Sequence, residues 1–323
     1  MNMHYRRLGR TGIKVSEISL GAWVTFGAQI SDKTSVELVR AAYDAGVNFF
    51  DNADVYAKGR AEEALGLAVK DIPRETVVIS SKVFFPSFEG VNGRGLSRKH
   101  ITESIHASLR RLGLEYLDIY YCHRHDPDTT VEEVVQTMDI LVRQGKILYW
   151  GTSEWDVLHL TQAITFARDN GLIPPAVEQP KYNLMNRSHV ENDLAPLCQE
   201  FGIGLTTFSP LNYGILSGKY NDGIPAGSRA TLEETAWLQD RITPEAIEKV
   251  KILTSIAGDL DATTAQLAIA WVLRRKEVSS VITGATRLEQ LDENLACAEL
   301  ENKLSDEVLD AIEGTFGQGH ENL

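Results

Sequence analysis

The sequence predicts an α/β chain folded as a (β/α)₈ (TIM) barrel, with an N-terminal β-hairpin and extra helices on the C-terminal side. Three observations predict it. Short apolar runs alternate with amphipathic helical stretches eight times in 323 residues, which fits a closed barrel better than an open sheet. The apolar runs are continuous rather than alternating, as suits parallel strands covered by helices. The G-x-G-x-x-G fingerprint that would mark an open dinucleotide-binding sheet occurs nowhere in the chain.

The segment "YRRLGRTGIKVS" has two short halves around a glycine-bearing turn and reads as a hairpin before the barrel. The barrel strands follow as "EISLG" (17–21), "VNFFD" (47–51), "TVVISSK" (76–82), "LDIYYCH" (117–123), "KILYWGTS" (146–153), "PAVEQ" (175–179), "GIGLTTFS" (202–209) and "SSVITGA" (279–285). Helical patterns at 34–45, 61–70, 98–112, 131–144, 156–170, 188–200, 264–275 and 287–297 connect them. In 98–112, Ile101, Ile105, Leu109 and Leu112 recur at helical spacing after Ser97 as N-cap. Residues 210–260, irregular and then helical, form an insertion after the seventh strand, on the face where a barrel carries its site. No low-complexity stretch or linker divides the chain, so one domain over 1–323 is expected.

Composition excludes several classes. Apolar residues are 43% and charged residues 24%, ordinary for a globular protein. A net charge of −13 and a pI near 5.1 argue against nucleic acid as partner. Three widely separated cysteines, Cys122, Cys198 and Cys297, suit reduced thiols. With no signal-like start and no long apolar run, the expectation is a soluble, cytoplasmic protein that does not insert in a membrane.

In a barrel the chemistry comes from the C-terminal ends of strands. The polar residues there are Asp51, Lys82, His123, Ser153, Glu154, Gln179 and Ser209. An aspartate at a strand end is more often a turn or cap residue, and a lone lysine or histidine is more often structural. Convergence changes the odds: Asp51, Lys82 and His123 end successive strands, and Tyr56 lies just beyond one of them. A phenol titrates near about 10, and an adjacent ammonium favours its ionisation. A carboxylate would fix that lysine, and an imidazole could polarise a carbonyl oxygen. Such a group donates a proton to an oxygen gaining negative charge. No side chain supplies the matching hydride, so a nicotinamide or flavin is implied.

On these residues, and on "GAWVTFGAQI", "FFDNADVYAKGRAEEALG", "GLSRKHI", "YWGTSEW", "FSPLNYGILSGKYNDGIP", "QLAIAWVLR" and "VSSVITGATRLEQLDEN", the chain resembles the aldo-keto reductase superfamily. Within it, the chain is similar to the voltage-gated potassium channel β-subunit group, over residues 3 to 315. The resemblance implies NADP(H) extended across the C-terminal face and reduction of a small carbonyl substrate by Asp51, Tyr56, Lys82 and His123, with Tyr56 as proton donor. It assigns Ser153, Glu154 and Gln179 to the nicotinamide carboxamide and Phe208 to stacking on the ring. Ala22, Trp23 and Gln29 would border the ribose and nicotinamide. Ser209, Pro210, Leu211, Asn212, Tyr213, Lys219, Ser228 and Arg229 would cover the pyrophosphate. Gly284, Thr286, Arg287, Gln290, Glu293 and Asn294 would hold the adenosine end. Thr286 and Arg287 open a helix where N–H groups and a guanidinium suit a 2′-phosphate, although "GATRLEQ" also reads as an ordinary helix start.

Glu154 stands where many aldo-keto reductases have asparagine, and Phe208 replaces the tryptophan common in channel β subunits. His123 occupies a position that is asparagine in animal channel β subunits, which favours real turnover. The resemblance also implies a homotetramer and a membrane channel as a possible partner. A regulatory subunit sensing NADP(H) with little turnover is therefore the rival reading. "CHRH" (122–125) offers a thiol and two imidazoles, but Cys122 and His123 would face opposite ways on a strand, so no metal site is expected. "GTSEW" lacks the second glycine of a nucleophile elbow, and "GILSGKY" lacks P-loop spacing. Asp54 reads as a loop residue.

Overall fold

The structure, a computed structural model, describes residues 3–317. The hairpin forms first, from β1 (Tyr5–Arg7) and β2 (Lys14–Ser16), paired antiparallel. Eight parallel strands then close into a barrel: β3 (Ile18–Gly21), β4 (Phe49–Asp51), β5 (Val78–Val83), β6 (Leu117–Cys122), β7 (Ile147–Ser153), β8 (Val177–Gln179), β9 (Gly204–Thr207) and β10 (Val278–Thr283). Strand β10 closes the ring against β3. The eight expected runs are all strands. β4 is shorter than its apolar run and is preceded by Asn48, whose side chain engages the hairpin. It accepts from Ser16 N–H and donates to the Lys14 carbonyl, tying the hairpin to the barrel floor.

The connecting helices are α1 (Asp32–Asp44), α2 (Arg60–Val69), α3 (Arg98–Leu112), α4 (Val131–Arg143), α5 (Val157–Asp169) and α6 (Ala195–Phe201). They continue as α7 (Pro244–Asp259), α8 (Thr264–Leu273), α9 (Leu288–Leu295) and α10 (Asp306–Phe316). Their starts follow side-chain chemistry. Ser31, Ser97, Thr130, Asp156, Thr243 and Ser305 each accept a backbone N–H of the first turn. Thr263 and Gln266 form a reciprocal capping box at α8, whose residues are nearly all buried. The stretch 188–200 divides into a wide turn over His189–Leu194 and then α6. The insertion after β9 is three short helical turns followed by α7, as expected. Helix α10, which the sequence did not announce, packs on α7, with Ile312 and Phe316 buried.

Two cores result. One lies between strands and helices. The other plugs the floor of the barrel, where Leu8 and Val15 of the hairpin meet Phe49, Val78, Ile119, Tyr121, Val177 and Ile282. The plug places the site by simple alternation. Successive inward-facing residues of a strand are two positions apart. One step above Phe49 is Asp51, two steps above Val78 is Lys82, one step beyond Tyr121 is His123, and one step above Val177 is Gln179. Polar side chains thus collect in the layer above the apolar plug, at the C-terminal mouth. No helix is long and apolar enough to cross a membrane among the described residues.

Candidate active site

At the mouth, Asp51 organises its neighbours. Its Oδ2 accepts from Lys82 Nζ at 2.6 Å, and its Oδ1 accepts from Ser80 Oγ at 2.7 Å and Gln179 Nε2 at 3.1 Å. Lys82 also donates to the Asn52 carbonyl at 2.7 Å and reaches Tyr56 Oη at 3.5 Å. Both charged side chains are buried, at 0% and 5% exposure. His123 completes the group, its ring 5.9 Å from that of Tyr56 and 5.0 Å from Phe85. The four residues that the sequence singled out therefore meet.

One part of the expected electrostatics differs. Burial first, and Asp51 second, push the Tyr56 phenol well above its ordinary range. The ammonium of Lys82 is balanced by Asp51 at 2.6 Å and stands almost an ångström farther from the phenol, so it does not ionise Tyr56. The phenol keeps its proton, as a donor must. Burial also lowers Lys82, the nearby Asp51 opposing it. His123 is held well below the usual imidazole range by burial, then by Lys82 and Arg124, and is neutral. A neutral imidazole and a neutral phenol then face one cavity.

That cavity is a trough of about 1240 Å³ on the C-terminal face. Near the quartet it is lined by Trp23, Val55, Asp51, Tyr56, Phe85, His123, Arg124, Ser153 and Gln179. Gln29, Phe208, Ser209, Pro210, Leu211 and Tyr213 border it, followed by Lys219, Ser228 and Arg229. Gly284, Thr286, Arg287, Gln290, Glu293 and Asn294 form the far end. Ala22, Glu154 and Asn212, named from sequence, are not in the lining. Glu154 is exposed and turned to the loop, its carboxylate accepting Lys181 N–H at 2.6 Å. Lys82 sits behind Asp51 and Tyr56, and Phe84 is buried outside the trough. Asp54 is buried, and burial with Glu62 beside it raises its carboxyl to about 8. It is more than the loop residue the sequence suggested.

The backbone is bent to build this rim. Val24, Ala57, Ser209 and Tyr213 line the trough with positive φ of 65°, 49°, 54° and 60°, conformations costly for non-glycine residues. Gly214, with φ 97°, lets Lys219 lie across its α-carbon, where a Cβ would meet Nζ at 2.5 Å. An aromatic strap crosses above: Trp23 lies 5.8 Å from Tyr213, which meets Trp237 at 4.9 Å, and Arg229 sits 5.4 Å over Trp23.

The trough suits an extended, anionic dinucleotide. Burial lowers Lys219, with Arg229 and Arg287 adding repulsion, and no carboxylate pairs with Lys219 or Arg229 among the described residues. Unpaired cations along a polar wall fit phosphate groups. Thr286 donates both N–H and Oγ to Gln290 Oε1 at 2.9 Å, ahead of α9, and Arg287 is largely exposed with Glu289 at 3.7 Å. Ser153 and Gln179 are joined, Oγ to carbonyl at 2.8 Å. Two groups went unremarked in the sequence: Ser80, whose hydroxyl holds Asp51, and Arg124, which lines the trough beside His123. Ser80 shares the inward face of β5 with Lys82, whereas Arg124 lies beyond the end of β6, where strand alternation no longer holds. Cys122 faces the helices, opposite His123, and no metal-ligand group of three or more exists among the described residues.

Comparison with known proteins gives the same direction. Residues 17–315 match the aldo/keto reductase family. The chain is 49% identical over 315 residues to a probable voltage-gated potassium channel subunit beta of Oryza sativa subsp. japonica, covering 96% of both chains. It is 48% identical over 315 residues to a probable voltage-gated potassium channel subunit beta of Arabidopsis thaliana, again covering 96% of both. A putative voltage-gated potassium channel subunit beta of Schizosaccharomyces pombe is 44% identical over 319 residues, 97% of this chain and 93% of that one.

Proposed function

The chain belongs to the aldo/keto reductase family, and from that premise we propose that it is an NADP(H)-dependent oxidoreductase reducing aldehydes or ketones to alcohols, with Tyr56 as proton donor. The observation that carries this reading is the meeting of Asp51, Lys82, Tyr56 and His123 at one end of a cation-lined trough. Ser153 and Gln179 would hold the nicotinamide carboxamide, Phe208 the ring face, Lys219, Ser228 and Arg229 the pyrophosphate, and Arg287 with Thr286 the 2′-phosphate. When bound, the reduced nicotinamide supplies hydride to a carbonyl carbon.

The chain's own residues handle the oxygen. Neutral His123 orients the carbonyl and donates to it without adding a charge. Tyr56 gives its proton as negative charge develops on that oxygen, and Lys82 then stabilises the phenolate from 3.5 Å. Asp51 fixes Lys82, and Ser80 and Gln179 fix Asp51. Trp23, Phe85 and the strap exclude water from the reacting atoms.

The experiment is direct. Purified protein mixed with NADPH and 4-nitrobenzaldehyde is expected to oxidise NADPH. Tight NADPH binding without oxidation contradicts the enzyme reading.

The relatives' names favour a second role alongside the first. As a cytoplasmic homotetramer, the chain would also dock on a potassium channel as its β subunit and sense the NADP(H) redox state. Light scattering of the purified protein tests the tetramer, and co-purification with a channel from its own membranes tests the partner.

A further inference from the structure

Among the described residues, eight of the sixteen arginines outside the trough pair with carboxylates. Arg74 meets Asp118 at 2.6 Å, Arg111 meets Glu62 at 2.6 Å, and Arg143 meets Asp139 at 2.6 Å. Arg187 and Arg274 share Glu191. Arg124 is set apart by its place. It follows β6, is half-buried, and lines the trough beside the quartet, yet no carboxylate pairs with it among the described residues. Its Nη1 donates to the His123 carbonyl at 2.5 Å and approaches Ser153 Oγ at 3.5 Å, which anchors one edge of the guanidinium. Its carbon lies 5.7 Å from the Phe85 ring centroid, and that ring packs on His123. The remaining N–H donors have no protein acceptor among the described residues.

A half-buried guanidinium with idle donors in a concave site is a receptor for an anion. The cations suited to cofactor phosphates form a separate set, in which Lys219 is coupled to Arg229 and Arg287 and not to Arg124. Arg124 is coupled to the reacting groups, because its charge bears on Tyr56, Lys82 and His123. The anion it awaits is therefore on the carbonyl compound.

We propose that Arg124 selects the substrate: it takes a carboxylate on the carbonyl compound, so that the protein prefers anionic aldehydes and oxo acids over neutral ones. This rests on the reductase reading above. The carbonyl carbon gains hydride from NADPH, the oxygen gains the Tyr56 proton, and solvent reprotonates the phenolate. The products are a hydroxy acid and NADP⁺, with the carboxylate unchanged on Arg124.

The test compares 4-carboxybenzaldehyde with its neutral relative, methyl 4-formylbenzoate, both with NADPH. The parent protein is expected to favour the acid by about tenfold or more in kcat/KM, as a charge-assisted hydrogen-bonded pair allows. Arg124→Leu should bring that ratio to about one or below, mainly by raising KM for the acid. Arg124→Lys should keep part of the preference, having the charge without the fork. NADPH affinity, followed by fluorescence, should change little. Equal use of both aldehydes by the parent protein overturns the inference. So does an equal loss on both in Arg124→Leu, which would make Arg124 a support for His123 and Ser153. If neither aldehyde is reduced, the reductase reading falls and this inference with it.

Discussion

Asp51 Oδ2 and Lys82 Nζ lie 2.6 Å apart inside the barrel mouth, on neighbouring strands and almost wholly out of water. A buried ion pair holds geometry more than it holds stability, since two desolvated charges offset most of their attraction. Removing one partner strands the other. Lys82→Met should therefore destabilise by about 3–5 kcal/mol. Asp51→Asn should also destabilise, and the double variant should lose less than the two singles together. Urea denaturation of the four proteins measures this, and simple additivity would show that the pair is not coupled.

Asp54 gives a pH signature of its own. Burial, then Glu62, raise its carboxyl from 3.8 to about 8. Between those values the folded chain keeps a proton that the unfolded chain releases. The contribution is thus fully present at low pH and is lost as pH rises through the window. Asp54→Asn removes that loss. The variant should gain little over the parent near pH 4 and a few kcal/mol, as an order of magnitude, near pH 9. Denaturation at both pH values decides, and a gain independent of pH would contradict the assignment.

Arg287 sets cofactor choice if the far end of the trough takes a 2′-phosphate. It is largely exposed, with Glu289 3.7 Å away, so its removal should leave the fold intact. Arg287→Leu should weaken NADPH binding by about tenfold or more, the scale of a charge-assisted hydrogen bond, and alter NADH binding far less. Fluorescence titration with both nucleotides reads the ratio. Parallel losses for the two would place Arg287 away from the 2′-phosphate.

Much of this was legible in the chain itself because parallel barrel strands advertise themselves twice, in apolar continuity and in the polar residue that ends each run. Asp51, Lys82, His123 and Gln179 all stand where β4, β5, β6 and β8 or the next residue reach the mouth. What the sequence hid was long-range placement. Nothing local says that Ser80 reaches Asp51, that Arg124 lacks a carboxylate, or that Glu154 turns to Lys181 instead of the trough. Helix α10 escaped although Val308, Leu309, Ile312 and Phe316 recur at helical spacing, because it follows the last strand–helix unit and opens on the acidic Asp306 and Glu307. The Tyr56 electrostatics also depended on placement: burial first, and Asp51 second, raise the phenol, although Lys82 stands 3.5 Å from it.

The central claim is that Tyr56 donates the proton, and Tyr56→Phe removes that proton while keeping the ring that packs near His123. Single-turnover oxidation of NADPH with saturating 4-nitrobenzaldehyde is the direct measurement, paired with NADPH affinity by fluorescence. The rate is expected to fall by about 10²–10⁴-fold, with affinity nearly unchanged. Turnover of the variant at the parent rate would contradict it.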